Sequence, residues 1–524
     1  MGSYINMGND SFQSARKSEY VDKSGLIAVV NQTLLSERRF SCVTRCRRFG
    51  KSMAAKMLSA YYDQSCDSRS LFEDLEIAND PSFEEHLNKY PVICLDMTNF
   101  TSRDNITTNE IVPVLQKEVK EEVLGVYPLD NVNQDDDLMT VLTKIADRYA
   151  VRFIMIIDEW DAICREALGD TDSMDRYVKF LRRLFKGSNT VQVFAGVYMT
   201  GILPIKKYKT ESALNNFREY SMVAPGKLST FFGFTKEEVR RLAEKHGMDF
   251  DELEKWYDGY QIGGEYSMFN PNSLMNALEN QWCESYWGRT GATDAVAGYI
   301  NMNYEGLKDD IIYMLGGGKC KVNPVGFQND LSIIRSRDDV LTVLIHLGYL
   351  TYDRFNRECC IPNLEVEGEM ANAVRDNRWR GVADALRDSE ELLEATLRGD
   401  EEAVARALEA AHDEHTSILS YNNENSLACV ISLAYYYARN DYIVHREMAS
   451  GKGIADMIFI PRKNVDKPAM VVELKKDKTA EAAIAQIKAK NYPAKVAQYT
   501  DNLLLVGINY DEDTKRHTCV IEKL

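Results

Sequence analysis

The sequence predicts an α/β protein: a parallel sheet with helices on both faces, then a mostly helical middle, then a second and smaller α/β unit. Three observations carry this. From about Glu19 to Phe234, short apolar runs at Phe40–Thr44, Pro91–Met97, Phe153–Asp158 and Val191–Thr200 alternate with helix-like stretches such as Lys51–Asp63 and Asn105–Tyr127. Strands interleaved with helices imply parallel pairing with both faces covered. The alternation returns after Asn422, and a chain of 524 residues exceeds what one core organises.

The expected domains are residues 1–234, 235–414 and 415–524. In the middle, Thr235-Lys236-Glu237-Glu238 is a good helix start. Tyr257-Asp258-Gly259-Tyr260 and Phe269-Asn270-Pro271 mark turns. A helix at Val340–Leu347 leads into two short strands, Leu350–Arg354 and Glu358–Pro362, a helix-plus-hairpin module of winged-helix type. Charged amphipathic helices fill Ala371–Glu414. The last block predicts a helix at Ser426–Ala438, strands at Tyr442–Met448, Ala455–Pro461 and Met470–Lys476, a helix at Ala480–Lys490 and a strand at Leu503–Ile508.

Composition narrows the class. Apolar content of 45% and charged content of 27% are ordinary for a globular protein. No apolar run reaches the length of a membrane span, and Met1-Gly2-Ser3-Tyr4 opens no apolar signal core. The 11 cysteines are scattered and form no Cys-x-x-Cys pair, which fits reduced thiols in a cytoplasmic protein. The net charge of -17 argues against a generally adhesive nucleic-acid binder. The segment from Arg439 to Leu524 departs from this balance, with 15 Lys and Arg against 12 Asp and Glu.

Two motifs in the first block carry chemistry. The strand ending at Thr44 runs into Arg45-Cys46-Arg47-Arg48-Phe49-Gly50-Lys51-Ser52, and the later strand ends in Asp158-Glu159. A loop closing on Gly-Lys-Ser can wrap phosphates with its amides, and the Ser hydroxyl can bind Mg2+. The full phosphate-loop pattern has Gly where Arg45 stands, so only Gly50, Lys51 and Ser52 match. Adjacent acids at the end of a buried strand repel each other unless a cation is near. Together the motifs predict a nucleotide triphosphate site. Lys51 meets the β and γ phosphates, Ser52 and Asp158 hold Mg2+, and Glu159 polarises the attacking water. The helix opening after Gly50 aims its positive end at the phosphates. Arg45, Arg47, Arg48 and Phe49 lie on the loop, where the arginines can touch phosphate or equally pair with nearby acids; Thr200, ending the next apolar strand, can reach the γ-phosphate or be a plain strand end.

Those residues also carry a resemblance. Tyr20-Val21-Asp22-Lys23-Ser24, the loop Thr44–Ser52, Ile157-Asp158-Glu159 and Tyr257-Asp258-Gly259-Tyr260 resemble the AAA-ATPase-like family of bacterial and archaeal proteins over roughly residues 10–280. The family loop usually reads T-R-P-R-R-F-G-K-[ST], with Cys46 here at the Pro position. Its acidic motif reads I-D-E-Y-D, with Trp160 here for Tyr and then Asp161. The resemblance implies a P-loop ATPase in which the missing first Gly is normal, and it places Tyr20, Asp22 and Lys23 in an N-terminal signature.

The last block holds a second constellation. If the strands carrying Asp456 and Glu473 form a hairpin about the turn Pro461–Pro468, facing residues have numbers of constant sum, and Asp456 meets Glu473. Glu473 and Lys475, two apart, share one face. Paired carboxylates bind Mg2+ or Mn2+ and lower the pKa of bound water, and a Lys stabilises developing charge. Gly451–Asp456 with Val472-Glu473-Leu474-Lys475 resembles the PD-(D/E)XK nuclease domain usually attached to this ATPase family, over about residues 415–524. By that resemblance Glu424 is a further metal ligand, with Glu447 an alternative, and Gln486 matches a helix Gln. The companion Tyr is missing, because Lys490 stands there and Tyr492 is only near. His412 and His415 are close enough to share a metal, although a solvated helix end explains them as well.

The expected protein is a cytoplasmic ATPase with a metal-dependent nuclease domain acting on DNA or RNA. Defence against foreign nucleic acid or mobile-element biology is what such a pairing suggests. An alternative is a nucleotide-dependent switch or scaffold whose C-terminal domain binds nucleic acid or protein without cutting. No arginine finger is assignable, so hydrolysis can require a homo-oligomer or partner to supply one.

Overall fold

A computed structural model describes the chain outside residues 1, 167–169, 206, 209–210, 213, 265, 288–297, 301, 303, 305, 329–330, 332, 377–379, 416–430, 433, 447–456, 463–464 and 490–501. Side chains at 207–208, 211–212, 374–376, 380–387, 412–415, 440 and 445–446 also lie outside the description. The chain divides into two compact units. One comprises Met1–Trp287 with Lys321–Glu365, and the other Gly288–Cys320 with Val366–Leu524.

The principal elements of the first unit begin with β1 (Phe40–Thr44), α1 (Lys51–Tyr62), β2 (Val92–Asp96), α2 (Ile111–Val126), α3 (Leu138–Tyr149), β3 (Phe153–Asp158) and α4 (Ala162–Glu166). They continue with α5 (Thr171–Phe185), β4 (Phe194–Gly201), β5 (Arg218–Tyr220), α6 (Lys236–His246), α7 (Phe250–Tyr257), β6 (Tyr260–Ile262), β7 (Tyr266–Met268) and α8 (Pro271–Asn280). The helix α9 (Arg337–Leu347) and the strands β8 (Thr351–Asp353) and β9 (Glu358–Cys360) complete the unit.

A five-stranded sheet in the order β2-β3-β4-β1-β5 organises this unit, and every pair is parallel. Strand β3 is apolar throughout because both faces are covered. Phe153, Met155 and Ile157 face one core with α2, α3 and α5, while Ile154 and Ile156 face the other with α1. Helix α2 buries Ile111, Leu115, Val119 and Val123, one stripe at helical spacing. Helix α6 starts where expected, and Thr235 with Glu238 forms a capping box there. The parallel register brings the strand ends together: Asp96 lies beside Asp158, and Thr44 beside Gly201. The expected strand at Val191–Thr200 splits into a helical turn at Thr190–Val193 and then β4. The helix and hairpin of the expected winged-helix type are present as α9, β8 and β9.

The second unit contains α10 (Arg380–Arg398), α11 (Glu401–His415), β10 (Tyr442–Arg446), β11 (Met457–Pro461), β12 (Ala469–Lys476), α12 (Ala480–Ala489), β13 (Leu503–Asp511) and β14 (Arg516–Lys523). Its sheet runs β10-β11-β12-β13-β14, parallel only between β12 and β13. Met470, Val472 and Leu474 face one core, with Leu392, Val404 and Leu408 of α10 and α11. Ala469 and Val471 face the other, against Ile484 and Ile487 of α12. By the two-residue period Glu473 and Lys475 belong to this α12 face. Helix α12 sits close because Gly507, opposite Glu473 in the register, has no side chain; a Cβ there would come within 2.4 Å of the Ala480 carbonyl oxygen. Gly507→Ala is therefore expected to lower stability by about 1–3 kcal/mol, the usual cost of overpacking, measured by urea unfolding.

Candidate functional site

The turn after β1 places the first set of predicted residues. Arg48 and Gly50 both take positive φ, +66° and +87°, which rolls the chain into α1 with Lys51 as its first residue. Lys51 is 3% exposed; its Nζ donates to the Cys46 carbonyl at 3.0 Å and lies 3.5 Å from Glu159 Oε1. Ser52 lies close enough to Asp158 for its hydroxyl to favour that carboxylate. Burial lifts the Asp158 carboxyl to about 6, and the Glu159 and Asp96 charges add to the rise, while Ser52 and Lys51 oppose it. Thus the loop and the β3 acids meet side chain to side chain.

The end of β3 is a strained, buried turn. Glu159 has φ +48°, a left-handed conformation unusual outside Gly, and its amide donates to Asp158 Oδ1 at 3.0 Å. Trp160 is buried and donates from its amide to the Thr200 carbonyl at 2.9 Å and from its indole to the Leu203 carbonyl at 3.2 Å. Asp161 is fully buried; it accepts from the Ile202 amide at 3.2 Å and the Leu203 amide at 2.9 Å, and pairs with Arg165 Nε at 3.1 Å. The same Arg165, on α4, also pairs with the Glu159 carboxylate. Gly201 makes room for this: a Cβ there would fall 2.5 Å from Asp161 Oδ1 and 2.6 Å from the Trp160 ring.

A cavity of about 400 Å³ opens over the loop. Arg48, Phe49, Gly50, Lys51, Ser52 and Glu159 line one side, and Tyr20, Lys23, Phe231, Phe234 and Met275 are among the other wall residues. A polar floor with aromatic walls is the usual make-up of a small-molecule site. A second cavity, about 190 Å³, reaches Ser52 and Asp158 together with Tyr4, Lys56 and Asp96. The signature residues divide in role. Lys23 Nζ donates to the Thr230 carbonyl and to both Glu238 oxygens at 2.8 Å, tying the wall to the cap of α6. Asp22 accepts from the Ser24 and Glu76 amides and is structural.

Two expected ligand residues stand elsewhere. The Arg45 guanidinium is fully buried, donating to the Thr44 carbonyl at 2.9 Å, the Tyr220 carbonyl at 2.8 Å and the Leu228 carbonyl at 3.3 Å, over the Phe232 ring. Burial lowers it to about 10. It staples the β1–β5 edge because the carbonyls there need donors, so its side chain does not reach the cavity. Thr200 is also fully buried, under Trp160, and does not line the cavity. Phe49 lines it but is itself buried, edge-on to Tyr260 at 4.9 Å between ring centres. Arg48 Nη1 donates to the Tyr286 carbonyl at 2.6 Å, and Arg47 is exposed. Sequence reasoning missed Arg165, whose one signal is its spacing of four from Asp161 on a helix only five residues long.

In the second unit, Glu473 is fully buried and Lys475 is 4% exposed. Lys475 Nζ donates to Glu473 Oε1 at 2.7 Å, and Gln486 Nε2 of α12 donates to the same oxygen. The β11–β12 pairs Met457 with Val472, Ile458 with Val471 and Phe459 with Met470 keep the constant sum that the hairpin argument requires. Asp456, Glu424, Glu447 and Tyr492 lie outside the described residues, as do the His412 and His415 side chains and residues 426–430 and 433 of the expected Ser426–Ala438 helix. Among the described residues no three His, Cys, Asp or Glu gather as a metal cluster. The donor set fits a hard divalent ion in kind, since Glu473 offers a carboxylate and Asp456 would supply another.

Comparison with known proteins agrees with this architecture. Residues 6–210 match the family model described as a predicted AAA-ATPase (AAA-ATPase-like), and residues 422–519 match that of the PD-(D/E)XK nuclease superfamily. The chain carries an AAA-ATPase-like domain followed by a PD-(D/E)XK nuclease superfamily domain. Over 533 residues it is 22% identical to an uncharacterized protein in the vnfD 5' region of Azotobacter chroococcum mcd 1, covering 97% of this chain and 96% of that protein. Among solved structures it is similar to the Aeropyrum pernix ORC2 protein in ADPNP–ADP complexes (11% identity, 68% of this chain, 93% of that chain, TM-score 0.25). It is also similar to the Aeropyrum pernix ORC1 protein in complex with DNA (12% identity, 71% and 98%, TM-score 0.23). Among the described residues no helix is long and apolar enough to cross a membrane.

The buried Asp161 tests the geometry directly. Asp161→Ala strips two amides of their acceptor and leaves a largely buried guanidinium with one partner fewer, so a stability loss of about 3–5 kcal/mol is expected in denaturant unfolding.

Proposed function

We propose that the chain binds and hydrolyses ATP in the first unit and cleaves nucleic acid with the second. The observation that carries the first half is the meeting of Lys51 with Glu159 on the floor of the larger cavity, with Ser52 lining both that cavity and the smaller one that Asp158 lines. Phosphate oxygens of ATP compete with Glu159 for the Lys51 ammonium. The amides of the loop through Gly50 and the start of α1 add donors there. Glu159, still clasped by Arg165, then has a carboxylate fixed in place to orient water toward the γ-phosphorus. Arg165 touches neither reactant in this scheme and acts as a positioning residue. Ser52 and Asp158 in one unit, and Glu473 with Asp456 and Glu424 in the other, would hold a divalent ion, which would supply charge neutralisation and an acidified water.

A second reading has one observation in its favour. Glu473 Oε1 is already shared by Lys475 and Gln486, and a buried, satisfied ion pair is also what a binding domain without cleavage would keep. Cleavage of plasmid, single-stranded DNA and RNA in Mn2+ decides between them. Glu473→Gln should abolish metal-dependent cleavage while ATP turnover continues. Absence of any cleavage by the wild type favours the non-cutting reading.

The ATPase half has its own test. Glu159→Gln should lower kcat by about 100-fold or more, the usual range for loss of proton-transfer assistance. Arg165→Ala should lower kcat about tenfold with ATP affinity within threefold, and Arg165→Lys should restore part of the loss. Equal loss of affinity and kcat in Arg165→Ala would make the residue structural only.

A further inference from the structure

The β8–β9 hairpin of the first unit ends in a tip that folding alone does not explain. Residues Arg354 to Arg357 form the turn, and all four are exposed. Phe355 is 73% exposed although it is large and aromatic. Its ring rests against Gly264, where a Cβ would come within 2.4 Å of Phe355 Cε2. The ring is therefore seated on backbone and held outward, not left loose.

Two arginines flank it in the turn. Among the described residues Arg354 and Arg357 have no acidic partner. Arg357 adopts φ +54°, a position where Gly or Asn relieves the strain at the end of such a turn. The nearby acids are already engaged. Asp353 Oδ1 accepts the Phe355 amide at 2.9 Å and the Asn356 amide at 3.1 Å, and its Oδ2 accepts the Asn356 side chain at 2.8 Å. Glu358 pairs at 3.1 Å with Lys321, whose ammonium also donates to the Asn356 carbonyl at 2.9 Å. A third cation thus stands at the tip. In a chain of net charge -17, an outward aromatic between two unpaired arginines is a local exception.

We infer that this tip binds single-stranded nucleic acid, with Phe355 stacking on a base and Arg354 and Arg357 contacting the flanking phosphates. Every base offers a π-face, so one exposed ring grips without reading sequence, and the guanidinium pairs supply the backbone contact. A base inside a duplex offers no such face, which selects the unpaired strand. This contact lies in the first unit and does not rest on the proposed cleavage site.

The test is fluorescence anisotropy of the full chain with labelled dT20 and, separately, rU20, in EDTA so that no metal-dependent cleavage occurs. Phe355→Ala should weaken binding about 5- to 150-fold, the range for loss of one stacked base, and Phe355→Trp should retain it. Arg354→Ala with Arg357→Ala should reduce the slope of log affinity against log salt by about 1.4. ATP turnover should be unchanged in each, as evidence of folding. Wild-type affinity and salt slope persisting in all variants would overturn the inference, as would failure of the wild type to bind either strand. Tighter binding to a duplex that Phe355→Ala leaves unaltered would overturn it too.

Discussion

The first unit depends on one buried charge. Asp161, wholly removed from water, is held by the Ile202 and Leu203 amides and by Arg165. An isolated carboxylate at such a place would be expelled or neutralised; burial pushes Asp161 upward, and only the guanidinium and the amides counter it. The bond set has a geometric result. It locks the turn after β3 to the turn after β4, so the chain between Asp158 and Asp161 must make a tight left-handed corner at Glu159. The strain at Glu159 is a consequence of where Asp161 is anchored.

That corner explains the electrostatics around the loop. Asp158 and Glu159 are adjacent acids, and Asp96 ends the neighbouring strand in register with Asp158. Burial is the main cause of the rise of Asp158 to about 6, and repulsion from Glu159 and Asp96 adds to it. Lys51, Arg165 and the Ser52 hydroxyl each relieve part of this. The second unit solves a smaller version of the same problem. Glu473 is buried on a sheet face, and one of its oxygens gathers an ammonium from its own strand and an amide from α12. Gly507 lets α12 approach that closely.

Much of this was legible in the residues. Strands with continuous apolar runs, such as Phe153–Asp158, follow from burial on both faces, and β1 and β3 begin and end where the sequence places them. The constant-sum rule for β11 and β12 holds because antiparallel pairing is arithmetic. Arg45 and Thr200 were misjudged for a common reason. Proximity to a motif in sequence does not say whether a side chain points to the ligand or into the sheet, and unpaired carbonyls competed for Arg45. Strands β5 and β14 went unseen, β5 because three residues at a sheet edge carry little pattern, β14 because alternating exposure in Arg516–Lys523 reads as polar. Arg165 was invisible because its meaning lies in two partners that only the folded corner brings together.

The central claim is that the cradle formed by Gly50, Lys51 and Ser52 against Asp158 and Glu159 is a site for a magnesium-bound nucleotide. Isothermal titration of the full chain with ATP, with and without Mg2+, tests it most directly. The account predicts saturable binding at one site per chain, strengthened by Mg2+ and lost in Lys51→Ala. Heat of binding unchanged by Lys51→Ala, or no binding by the wild type in either condition, would contradict it.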